Sequence, residues 1–122
     1  MVVPNAAHRR QRKAQMKNPL QVVFQGCEPS DQVRANVERE FARLETHDNR
    51  ITSGRVTVIG PGDHHRHGAG FQIHILLTMP PKNNIVVSHS PTDEKTHEQP
   101  EVAIKDAFAV ARRQIEDLRQ PS

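Results

Sequence analysis

The sequence predicts an α+β fold, a β-α-β-β-β-α two-layer sandwich with a four-stranded sheet and two helices packed on one face. Three observations carry this expectation. Two stretches place apolar residues at helical spacing on one narrow stripe each. Three short runs rich in β-branched residues, and one of strict period-two alternation, read as strands. With 122 residues the chain is of a size for one domain. Helices with a single apolar stripe must bury it, and one face of a small sheet is the simplest place.

The elements follow in order. "LQVVFQG", Leu20 to Gly26, is a strand closed by glycine. "CEPSDQ" supplies a helix start, with Ser30 or Asp31 as N-cap. Val33, Val37, Phe41 and Leu44 then form an apolar stripe, and "HDNR" ends the helix. "SGRVTVIG", Ser53 to Gly60, is the second strand, with Val56 and Val58 on one face. "PGDHHRHGAG" has no large apolar residue and reads as a loop. Phe71, Ile73, Ile75 and Leu77 alternate with Gln72, His74, Leu76 and Thr78 in the third strand. "PPKNN" turns the chain, and Ile85 to His89 make the fourth strand. A polar loop over 90–99 leads to Pro100, a residue suited to the first helical position. The last helix runs to about Leu118, on a stripe of Ile104, Phe108, Ala111, Ile115 and Leu118.

Composition narrows the function classes. Apolar residues make up 34% of the chain and the four aromatic residues are all Phe, so the core is modest and aliphatic. One cysteine, Cys27, excludes an internal disulfide framework and a cysteine-based zinc finger, and fits a reducing compartment. No apolar run approaches the roughly 20 residues of a membrane span. Charge is uneven: residues 1–17 hold five basic residues and no acidic one, whereas the remainder holds twelve basic and fourteen acidic. The expected organisation is therefore a basic, disordered arm over 1–18 and an α+β domain over 19–122. A basic arm suits a polyanionic partner.

Two clusters are candidates for chemistry. His64, His65 and His67 with Arg66 crowd the loop between the second and third strands. A structural zinc site needs four ligands and a catalytic one usually three plus an open position. Here no cysteine lies near, Asp63 is the one local carboxylate, and no His-Glu-x-x-His pattern is present. No metal site and no catalytic residue are assigned. Polar loop, RNA-contacting loop and metal loop remain as readings of this stretch. The second cluster is cationic. Lys105, Arg112 and Arg119 recur at steps of seven along one flank of the last helix, and Arg113 stands near its outermost line. Arg39 and Arg43 lie four apart on the outer side of the first helix. Guanidinium groups suit phosphate because the planar fork binds two oxygens at once. The alternative is an ordinary solvated face, with Glu38, Glu45, Glu101, Asp106, Glu116 and Asp117 as neighbours.

Taken in order, "LQVVFQG", "SDQVRANVEREFARLE", "GRVTVI", "HHRHG", "FQIHILLTMP" and "IVVSH" resemble the ribosome hibernation-promoting factor family, which includes the ribosome-associated translation inhibitors. The strongest local similarity is "VAIKDAFAVARRQIEDL", Val102 to Leu118, to that family's final helix. The resemblance covers 20–119. It implies a fold related to double-stranded RNA-binding domains and binding to the small ribosomal subunit and its rRNA, in the channel between head and body. Translation would then stop under stress by occlusion of mRNA and tRNA sites, without enzyme chemistry, cofactor, membrane or small-molecule substrate. It further implies a cytoplasmic bacterial protein, monomeric when free, of the short form without the domain that pairs ribosomes. Arg43 and Arg113 stand where the family places basic residues; Thr46, Val110 and Asp117 stand where members often carry lysine. The expected contact set is Arg39, Arg43, Arg66, Lys105, Arg112, Arg113 and Arg119. A generic double-stranded RNA-binding module is the alternative function, and a metalloprotein built on the histidine loop is a third.

Overall fold

The computed structural model describes residues 17–60, 70–81, 83–90 and 99–119. Its elements are β1 (Leu20–Gln25), α1 (Asp31–His47), β2 (Ser53–Ile59), β3 (Gln72–Met79), β4 (Asn83–His89) and α2 (Pro100–Arg119). They form the predicted β-α-β-β-β-α sandwich. The four strands lie in the order β1-β2-β3-β4. β1 and β2 are parallel, with Val22 opposite Val56, and α1 is the crossover such a pair requires. The other two pairs are antiparallel, placing Val58 beside Ile73 and Ile75 beside Val87.

Alternation decides which face is covered. Val56, Val58, Ile73, Ile75, Leu77, Ile85 and Val87 are buried on one side of the sheet. Against them pack Val33, Val37, Phe41 and Leu44 of α1 and Ile104, Phe108, Ala111 and Ile115 of α2. Burying the Val, Leu, Ile and Phe side chains among these contributes roughly 1.5–3 kcal/mol each. Leu118 departs from the expected stripe. It lies in the final turn, where the packing thins out, and keeps 39% of its surface exposed. On the opposite sheet face Arg55, His74, Leu76, Val86 and Ser88 are exposed, and Ser88 Oγ lies 3.1 Å from His74 Nδ1.

Local chemistry explains the ends of the elements. Gly26 closes β1 at φ +68°, the left-handed region that glycine enters without strain. Ser30 caps α1 by accepting from the Val33 N–H at 3.2 Å. Gly54 in β2 leaves room for the Phe41 ring: a Cβ there would sit 2.5 Å from Phe41 Cε1. "PPKNN" is shorter as a turn than expected, because Asn83 and Asn84 already pair with Met79 and Thr78 in the β3–β4 ladder.

One carboxylate overturns its sequence reading. Glu45, expected on a solvated face, is 3% exposed. It accepts hydrogen bonds from the backbone N–H of Lys17 and of Asn18, each at 2.8 Å, and from Asn18 Nδ2 at 2.8 Å. The same Asn18 amide also donates to the Ile51 carbonyl. Glu45 thus fastens the chain entering β1 to the end of α1, and Lys17 and Asn18 belong to the folded body. The rest of the basic arm, residues 1–16, lies outside the described residues.

Candidate functional site

The two helices lie side by side on the sheet and run in the same sense. Glu40, Arg43, Leu44 and His47 of α1 line the same cleft as Lys105, Phe108, Ala109 and Arg112 of α2, and His47 reaches Glu116 one turn beyond. The cleft has a volume of about 170 Å³. Its floor is the buried Leu44 and Phe108, the exposed Ala109 lies at its outer edge, and Arg43, Lys105 and Arg112 stand around it. Of the expected contacts with described side chains, Arg39, Arg43, Lys105, Arg112 and Arg113, these three cations around the cleft are the ones the fold brings together. The seven-residue step from Lys105 to Arg112 puts both on the flank of α2 that faces α1.

Arg39 and Arg113 are exposed and sit outside the cleft. Each lies diametrically opposite the buried stripe of its helix, so they crest the two ridges that border the cleft. Arg119 ends α2, and its side chain lies outside the described residues, as do Arg66 and the whole histidine loop, 61–69. The metal reading of that loop falls outside them with it; among the described residues no cluster of three or more potential metal ligands occurs.

Electrostatics at the cleft are loose. Arg43 Nη1 is 3.5 Å from Glu40 Oε2, with the arginine side chain 64% exposed. Arg112 Nε is 3.5 Å from Glu116 Oε2, both groups about half exposed. Such single, long, solvated pairs contribute about 0–1 kcal/mol and release their cation readily to a phosphate. Arg39, Lys105 and Arg113 make no ion pair with any described residue. The positive surface is nonetheless interrupted, because Asp106 and Asp117 share the outer side of α2 with Arg113. His47 Nε2 lies 3.2 Å from Glu116 Oε2 but is buried and makes no hydrogen bond of good direction, so the contact becomes an ion pair only when the imidazole is protonated.

Other cations have structural work. Arg50 grips the buried Asp48 through Nε at 3.0 Å and Nη2 at 2.8 Å, and this hydrogen bonding raises its pKa from the ordinary arginine value. Arg34 covers the Phe24 ring at 5.4 Å from its centroid. Glu40, Leu44, His47, Phe108 and Ala109 were not among the expected site residues. Their signal was available in principle: Glu40 and His47 are seven apart and share a flank with Arg43, but which flank meets the second helix is a tertiary matter.

Residues 20–120 match the family described as sigma 54 modulation protein / S30EA ribosomal protein. The chain belongs to this family. It is a ribosome-associated family, which agrees with the resemblance seen in the sequence. The fold has close parallels among solved structures. The N-terminal domain of Thermus thermophilus Protein Y superposes with a TM-score of 0.62 at 18% identity, over 83% of this chain and 98% of that one. A ribosomal subunit interface protein from Coxiella burnetii superposes with a TM-score of 0.60 at 13% identity, over 83% and 97%. No curated protein sequence matches the chain. Among the described residues no helix is long and apolar enough to cross a membrane.

Proposed function

We propose that this chain binds the small ribosomal subunit in the channel between head and body and stops translation by occupying the path of mRNA and tRNA. The observation that carries the reading is the outer side of the helical layer. Arg43, Lys105 and Arg112 converge on one cleft, and Arg39 and Arg113 crest the ridges beside it. Membership of the S30EA family supplies the ribosome as the polyanion. Arg66, Arg119 and the five basic residues within 1–17 are further phosphate contacts in this reading. The protein acts in the bacterial cytoplasm under stress, enters as a monomer, and needs neither cofactor nor catalytic group, because a filled channel is itself the inhibition.

Co-sedimentation with purified small subunits tests this. Binding is expected at low salt, with log affinity falling linearly against log salt as phosphate contacts exchange for counterions. Reversing charge at Arg43 and Arg113 together should weaken binding by about ten-fold or more. Absence of co-sedimentation at low salt rejects the reading. Equal or tighter affinity for a plain RNA duplex than for the subunit would favour a generic double-stranded RNA-binding module instead.

A further inference from the structure

The cleft between the helices is built differently from the ridges beside it. A surface that only neutralises phosphate gains nothing from a recess floored with carbon. Here the outer sides of the buried Leu44 and Phe108 make such a floor, the exposed Ala109 methyl extends it at the outer edge, and Arg43, Lys105 and Arg112 edge it with cations on long alkyl stems. Those are the groups an unstacked base requires. Apolar surface takes the edge of the ring, guanidinium planes stack on its face, and the charges meet the phosphates on either side; Phe108, 3% exposed, contributes floor and not a stacking face.

We propose that the cleft receives one unpaired nucleotide of RNA, its base set between α1 and α2 and its flanking phosphates held by Arg43, Lys105 and Arg112. This rests on the ribosome-binding reading and names what that reading leaves open, the form of RNA the helices recognise. Charge favours a polyanion, since three cations and one carboxylate, Glu40, line the cleft, and Glu116 stands beyond its end beside Arg112. Size favours a nucleotide within a chain over a free one. At about 170 Å³ the cleft is smaller than the roughly 300 Å³ at which pockets begin to retain free small ligands. It holds a base ring, while ribose and phosphates stay outside, so affinity must come from the neighbouring chain. Duplex RNA keeps its bases stacked and offers nothing to insert.

The test uses the full chain and a fluorescently labelled single-stranded RNA pentanucleotide, with or without an abasic site at its centre. Ala109 is exposed at the cleft, so Ala109→Trp fills the recess without entering the core. Wild type should bind the intact oligonucleotide about ten-fold more tightly than the abasic one. Ala109→Trp should lose that margin, binding both alike, and should bind small subunits about ten-fold more weakly. A second measurement needs no variant: 2-aminopurine at the central position should change its fluorescence on binding wild type, as its ring leaves its neighbours for the cleft. Equal affinity of wild type for intact and abasic oligonucleotides, with small-subunit binding retained, overturns the inserted base and leaves the ribosome reading standing. Failure of wild type to co-sediment with subunits removes the ribosome reading, and the abasic contrast then reports on the cleft alone. Displacement of the pentanucleotide by millimolar adenosine monophosphate overturns the assignment to a nucleotide within a chain.

Discussion

The two flanks of α1 carry the same kind of residue to opposite ends. On the flank toward β1, Glu45 is buried and receives three hydrogen bonds from Lys17 and Asn18. On the flank toward α2, Glu40 meets Arg43 in one long contact of 3.5 Å. Both are glutamates five residues apart on one helix. What separates them is whether backbone donors or solvated cations face them. Backbone N–H groups cannot leave a folded chain, so Glu45 belongs to the architecture. Guanidinium groups on flexible stems can leave, so Glu40 and Glu116 hold cations in reserve for a stronger anion.

The contrast is sharpest if Glu45 is truncated. Glu45→Ala removes the acceptor of three N–H donors in a largely buried place, and should cost about 3 kcal/mol of folding stability, read by urea denaturation. Affinity for small subunits, measured under conditions where the variant is folded, should stay within about two-fold of wild type, because Lys17 is the one proposed contact whose anchorage is released and the cleft cations are not touched. A loss of stability below about 1 kcal/mol would mean that water replaces the carboxylate at no great penalty, and the two flanks would no longer differ in kind.

Behind the same helix, Gly54 tests the apolar side. Phe41 is fully buried, and its ring occupies the space where a Cβ on Gly54 would lie. Gly54→Ala should cost about 2 kcal/mol, since a packed ring must shift in a core without slack. The companion variant Phe41→Leu with Gly54→Ala should recover part of the loss, because the smaller side chain vacates the position. Additive losses in that double-mutant cycle would show that the glycine is required for backbone reasons and not for the ring.

How much of this could be read beforehand follows from the range of the interactions concerned. The stripe of Val33, Val37, Phe41 and Leu44 was legible because helical periodicity is local, and so was the Ser30 cap. The alternation of Ile73, Ile75 and Leu77 told the covered sheet face from the bare one for the same reason. Ala103 and Ala107, fully buried, carry no clear signal in the sequence, because a small residue looks alike on a core stripe and on a surface. Glu45 reads as a surface residue because its partners lie 27 and 28 residues away, in a stretch with the composition of an arm. The cations were legible singly. That Arg43 shares a cleft with Lys105 and Arg112, while Arg39 and Arg113 do not, depends on how the helices are set side by side, which periodicity does not encode.

The smallest change in stability should accompany an informative change in binding. Glu116 offers one oxygen to two groups, Arg112 Nε at 3.5 Å and His47 Nε2 at 3.2 Å. Glu116→Gln keeps the shape and removes the charge. Thermal or urea unfolding should move by no more than about 0.5 kcal/mol, since Arg112 and Glu116 are about half exposed and glutamine keeps a polar atom beside the buried His47 Nε2. Affinity for small subunits at low salt should rise by a few-fold, because Arg112 is then released and a repelling charge beside the RNA is gone, and the salt slope should steepen if Arg112 gains a phosphate. Glu40→Gln should act in the same direction through Arg43. The two together should add, since the pairs they break share no atom. An unchanged affinity in the double variant would mean that Arg43 and Arg112 do not face the RNA, and the cations that matter would be sought on the crests, at Arg39 and Arg113.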